Sequence, residues 1–143
     1  MSESAQWHWC CDLTVPAQSG AGDQVIESVV QRMQLLTWPE KDIFNVQLAF
    51  SEAIDNAIMH GNRSDPQKKV FLWCGIRENE VRISIRDEGS GFNPDMLPDP
   101  RHPENIHSPT GRGILLIRHI MSRVEFLPSG NGMILTKYRT ITE

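Results

Sequence analysis

FSEAIDNAIMHGN, residues 50–62, decides how the rest of the chain is read. As a helix it sets Glu52, Asn56 and His60 four residues apart, so they climb one face a turn at a time. Ala49, Phe50, Ala53, Ile54 and Ala57 form the neighbouring apolar face. Glu52 and Asn56 then stand roughly 6 Å apart along the axis. That spacing suits a general base beside a ligand for a hard cation. An ordinary amphipathic helix with a wet polar face shows the same pattern, so the segment needs support from its neighbours.

Upstream, Asp23 to Thr37 is helical: Val25, Val29, Met33 and Leu36 line one stripe, with Ile26 and Val30 beside it. Thr37-Trp38-Pro39-Glu40 reads as a capping box for the helix that carries the opening stretch, from Pro39 to His60. Gly61 is then placed to end that helix in the left-handed conformation. Residues 6–14, QWHWCCDLT, suit an edge strand in which Trp7, Trp9 and Cys11 share parity. Pro16 to Gly22 is a loop of small residues.

Downstream, Lys69–Ile76 and Glu80–Asp87 are β-rich runs joined at Arg77-Glu78-Asn79. Val81, Ile83 and Ile85 alternate with Arg82, Ser84 and Arg86, which buries one face. The same parity puts Asp87 on the buried face at the strand's end. A carboxylate there costs free energy unless something hydrogen-bonds to it, so Asp87 is a candidate receptor for a polar ligand group. The turn Asp87-Glu88-Gly89-Ser90-Gly91-Phe92 follows. Asn93 to Thr110 then holds five of the nine prolines, the composition of a lid or binding loop. Gly111-Arg112-Gly113 opens a helix to Ser122, where free backbone amides and the helix dipole favour phosphate oxygens. Glycines also serve tight loop-to-helix junctions that bind nothing. Arg123–Leu127 and Met133–Thr140 are strands joined by a turn at Ser129-Gly130-Asn131-Gly132.

Composition narrows the field. The 143 residues fit one domain, 1–143, and no repeat or low-complexity segment interrupts them. Net charge is −4 without a lysine or arginine cluster, so no nucleic-acid surface is expected. No apolar run is long enough to span a membrane, and MSESAQWHWCCDL lacks the form of a secretory signal. Cys10, Cys11 and Cys74 lack CxxC spacing and read as reduced thiols of a cytoplasmic protein. The five histidines are scattered and form no metal-binding pattern. A GxxxxGK[ST] phosphate loop is absent, and DEGSGF is not a dinucleotide fingerprint.

The conjunction is more specific than its parts. ExxxNxxxHGN on a helix, a strand ending in DxGxGF, a proline-rich lid and GRG opening another helix together resemble the histidine-kinase-like ATPases, the superfamily that includes gyrase. Within it, EAIDNAIMHGN, DEGSGF, PDPRHPEN and GRGILLI look like the short, free-standing anti-sigma-factor serine kinases. The likeness covers roughly residues 20–140. It implies a two-layer α/β sandwich, a mixed and mostly antiparallel sheet with helices on one face, and ATP held between helix and lid (93–110).

Carried over residue by residue, Glu52 matches the catalytic carboxylate that activates the acceptor hydroxyl or a water, and Asn56 the Mg²⁺ ligand that bridges metal and phosphates. Asp87 matches the acceptor for the adenine amino group. Gly89 and Gly91, with Phe92, border the nucleotide; Gly111, Arg112 and Gly113 border its phosphates. His60 and Asn62 have weaker claims. The resemblance further implies a protein serine/threonine kinase and anti-sigma factor. Its substrate would be a small anti-anti-sigma (STAS-type) protein, with a sigma factor as second partner. Members of the family often form homodimers, and no stripe in this chain marks such an interface. A non-catalytic, ATP-binding switch module that grips a signalling partner is the alternative. No separate helical module carries a phosphoacceptor histidine, which argues against a self-phosphorylating sensor kinase.

Overall fold

The computed structural model describes residues 7–89, 109–128 and 131–141. Along the chain run β1 (Trp9–Pro16), α1 (Asp23–Leu35), α2 (Glu40–Asn56), β2 (Lys69–Arg77), β3 (Glu80–Arg86), α3 (Pro109–Ile120), β4 (Arg123–Phe126) and β5 (Gly132–Tyr138). A π-helical turn, Ala57–Gly61, extends α2. The strands form one sheet in the order β1-β2-β3-β5-β4, and every pairing among the described residues is antiparallel. The helices cover one face of it, giving the expected α/β sandwich.

Period explains the layers. On α1 the buried residues are Val25, Ile26, Val29 and Met33; on α2 they include Ile43, Val46, Ala49, Phe50, Ala53 and Ile54. They meet Val70, Leu72, Ile76, Val81, Ile83, Ile85 and Leu135 of the sheet in one cluster. Burying an aliphatic or aromatic side chain contributes about 1.5–3 kcal/mol, so this layer contact is the main source of stability.

Strand β1 runs to Pro16 rather than stopping at Thr14, because β2 offers partners throughout, from Ile76 opposite Trp9 to Lys69 opposite Pro16. Trp9 and Cys11 pack on the core as their shared parity requires. Trp7 does not follow them. It precedes the strand and lies edge-on to Trp73, ring centroids 5.3 Å apart, in space that Gly75 leaves open on the other sheet face. The Arg77 guanidinium covers Trp7 at 4.2 Å.

The joint between α1 and α2 differs from the capping box. Thr37 has φ 55° and ends α1 instead of capping α2. Its amide donates to the Gln34 carbonyl (3.0 Å) and the Trp38 amide to the Met33 carbonyl (3.0 Å), the paired bonds of a Schellman stop. The Thr37 hydroxyl donates to the Leu36 carbonyl (2.7 Å), and α2 starts after Pro39 without a side-chain cap. Tertiary bonds decide this. Arg139 donates to the carbonyls of Leu36 (2.9 Å) and Thr37 (2.7 Å), and buried Asp42 accepts from the Thr140 amide (2.8 Å) and hydroxyl (2.7 Å). A β-branched residue in the left-handed region is strained. Thr37→Gly should therefore stabilise the fold by roughly 0.5–1 kcal/mol in urea unfolding. A loss of stability would show that the hydroxyl bond to Leu36 outweighs the strain.

Candidate functional site

The helix α2, which packs against α3, holds Glu52 and Asn56 one turn apart, both half-buried. Helix α3 begins at Pro109, two residues earlier than GRG suggests, because proline's fixed φ suits a first helical position. Gly111 therefore sits in the first turn, among amides without helical acceptors, and Gly113 lies further in. Gly113 has a separate reason to be glycine: a Cβ there would stand 3.3 Å from Oε2 of Glu52. The absence of a side chain lets α3 approach the carboxylate. Helix α2 and the start of α3 thus meet at Glu52.

A second cluster forms where the π-helical turn meets the end of β3. Asp87 is 7% exposed, on the face the strand's alternation assigned to it. Its amide donates to the Asn131 carbonyl (2.8 Å), and Asn131 Nδ2 donates to its carbonyl (3.0 Å). Oδ1 accepts from the Gly89 amide (2.7 Å); Oδ2 accepts from none of the described residues. Burial pushes the Asp87 carboxyl above its ordinary value, opposed by the Gly89 amide and by the charges of Lys68 and Arg86. Gly61 lies against this carboxylate and Gly89 against the Gly61 carbonyl, so close that a Cβ on either would overlap its neighbour.

Gly61 is not the left-handed cap expected of it. It belongs to the π-helical turn, closed by the Asn62 amide on the Ala57 carbonyl (2.9 Å), and the left-handed residues are Arg63 (φ 53°) and Ser64 (φ 57°). Its glycine identity serves the close approach to Asp87, a tertiary demand that no local pattern reveals.

Asn62 carries more than a helix-end role. It is fully buried; its Nδ2 donates to the Lys69 carbonyl (2.9 Å) and its Oδ1 accepts from the Glu88 amide (2.8 Å). The Glu88 carboxylate in turn accepts from the Lys69 amide (2.7 Å). These bonds brace the start of β2 to the turn after β3 and so fix Asp87 and Gly89 beneath the π-helical turn. Asn62→Ala leaves two polar backbone groups short of a partner and should cost on the order of 2–4 kcal/mol in thermal or urea unfolding. A cost below about 1 kcal/mol would mean that water replaces both bonds.

His60 is exposed on the π-helical turn. Gly91, Phe92, the Arg112 side chain and all of the lid before Pro109 lie outside the described residues, as do Ser129 and Gly130 of the expected hairpin turn. No group of three His, Cys, Asp or Glu side chains able to hold a metal occurs among the described residues. A single protein donor, the Asn56 carboxamide, fits a magnesium ion that takes its remaining ligands from phosphates and water, as that ion commonly does. Asp87 Oδ2, which accepts from none of the described residues, has the chemistry to receive an amino donor.

Comparison with known proteins gives the family. A family model described as the histidine kinase-like ATPase domain matches residues 15–137. The chain belongs to this family. The anti-sigma F factor of Oceanobacillus iheyensis is 30% identical over 103 residues, spanning 67% of this chain and 69% of its own. That of Bacillus cytotoxicus is 33% identical over 105 residues, spanning 68% and 70%. These relatives place the chain with the anti-sigma F factors within the histidine kinase-like ATPase family. A crystal structure of the RsbU and RsbW domains of a Mycobacterium tuberculosis protein superposes with a TM-score of 0.62 over 94% of this chain. At 17% identity it shows the shared fold alone, and this chain spans 33% of that longer one. No helix of the described residues is long and apolar enough to cross a membrane.

Proposed function

We propose that this chain is an ATP-dependent protein serine/threonine kinase that also binds and restrains a sigma factor. Its substrate would be a small anti-anti-sigma (STAS-type) protein. The reading rests on one observation above the others: the Glu52 carboxylate faces Gly113 at the start of α3, one turn from Asn56 on the same helix. The names of the anti-sigma F relatives supply the sigma factor and the transcriptional role.

In this reading Asp87 Oδ2 accepts from the adenine amino group, and Gly89, with Gly91 and Phe92 beyond it, borders the base. The Asn56 carboxamide oxygen would hold Mg²⁺, which when bound with ATP shields and aligns the phosphate oxygens. Gly111, Arg112 and the positive end of α3 face the phosphates. Glu52 orients the serine hydroxyl and takes its proton as the oxygen becomes nucleophilic. Phosphoryl transfer asks for positioning and charge stabilisation rather than covalent participation by protein, and these groups supply both.

The test is incubation of the folded protein with γ-labelled ATP, Mg²⁺ and candidate STAS-type proteins, followed by phosphosite mapping. Label on one serine of one candidate supports the kinase. ATP binding and sigma-factor capture without transfer to any candidate would replace it with the non-catalytic switch.

A further inference from the structure

Cys11 and Cys74 stand directly opposite one another on β1 and β2, both on the core face of the sheet. Opposed residues of an antiparallel pair have Cα atoms about 4.5–5.5 Å apart, inside the roughly 4.4–6.8 Å that a disulfide spans. Both thiols are free. They differ in access. Cys11 lies on an edge strand and is half-exposed, whereas Cys74 is fully buried. Cys10 is exposed, and the alternation of β1 turns it to the opposite face from both.

We propose that Cys11 and Cys74 form a redox site in which a peroxide oxidises Cys11 and Cys74 then closes a cross-strand disulfide. The Cys11 sulfur attacks one peroxide oxygen, the O–O bond breaks, and the departing oxygen leaves as water. Cys11 becomes a sulfenic acid. The Cys74 sulfur then attacks the Cys11 sulfur, the S–O bond breaks, and the hydroxide leaves as a second water with the Cys74 proton. Two thiols supply the two electrons that reduce one hydrogen peroxide to two waters.

The division of roles follows from the surroundings. The neighbouring Cys74 thiol draws Cys11 below the ordinary thiol range, which favours the nucleophilic thiolate on the accessible strand. The Cys11 thiol beside it, with burial, pushes Cys74 up. Cys74 is thus the resolving thiol, protected from outside oxidants until its partner is a sulfenic acid. The product ties the edge strand to its neighbour and closes a loop that includes α1 and α2.

The test treats the reduced full chain, and its Cys10→Ser variant, with hydrogen peroxide and follows intact mass and linked peptides. The expected result in both is loss of two hydrogens, a Cys11–Cys74 linked peptide, a raised urea midpoint and reversal by dithiothreitol. Cys74→Ala should instead accumulate added oxygen on Cys11. Oxygen added to Cys11 of the wild-type chain without linkage to Cys74 would overturn the proposal. Linkage that needs Cys10 would do the same.

Discussion

Glu52→Gln should lower phosphoryl transfer to the acceptor serine by about 10²–10⁴-fold, the usual contribution of a positioned general base, while ATP affinity stays unchanged. The substitution keeps the side chain's length and polarity against Gly113, so the approach of α3 to α2 survives. What it removes is the proton acceptor. Single-turnover label transfer and nucleotide titration on the same preparation separate these effects. Equal loss of binding and transfer would show Glu52 holding the nucleotide instead. An undiminished transfer rate would remove it from the chemistry.

Asp87→Asn should weaken ATP binding by roughly 10- to 100-fold, the equivalent of one hydrogen bond to a charged group. Asparagine can still accept from the Gly89 amide through Oδ1, but it presents an NH₂ group where the adenine amino group would donate. The apo fold should not suffer, because burial already disfavours the charge on Asp87. A raised pKa means that the native state keeps this proton where the unfolded chain has lost it. The group's contribution to stability is therefore fully present below its unfolded pKa and lost as pH rises through the folded value. Relative to Asp87→Asn, the wild-type protein should lose stability as pH rises from about 4, the ordinary aspartate value. Urea midpoints of the two proteins at several pH values check the sign. A wild type that gained on the variant with rising pH would place a favourable charge partner at Asp87 that outweighs its burial.

The parts of the fold that the sequence made legible are those written in a period. The stripe of Val25, Val29 and Met33 and the alternation of Val81, Ile83 and Ile85 each specify an element and its buried side without reference to the rest of the chain. Asp87 was placed by extending that alternation one residue. The misread positions answer to distant partners. Thr37 looks like an N-cap until Arg139, about a hundred residues on, holds its carbonyl in a left-handed stop. Gly61 looks like a C-cap until Asp87 occupies the space its side chain would fill. Asn62 looked incidental because its two hydrogen-bond partners, Lys69 and Glu88, lie on other elements. Even so, the HGN step after the helix was the visible signal: a small residue followed by a carboxamide, at the point where the helix must pass over a buried acid.

Calorimetric titration of the folded protein with ATP and Mg²⁺, wild type beside Asp87→Asn, tests the adenine-nucleotide site most directly. The expected result is one saturable site in the wild type and a much weaker one in the variant. A folded wild-type chain that takes up no ATP, or a variant that binds it equally well, would contradict the assignment of this cleft.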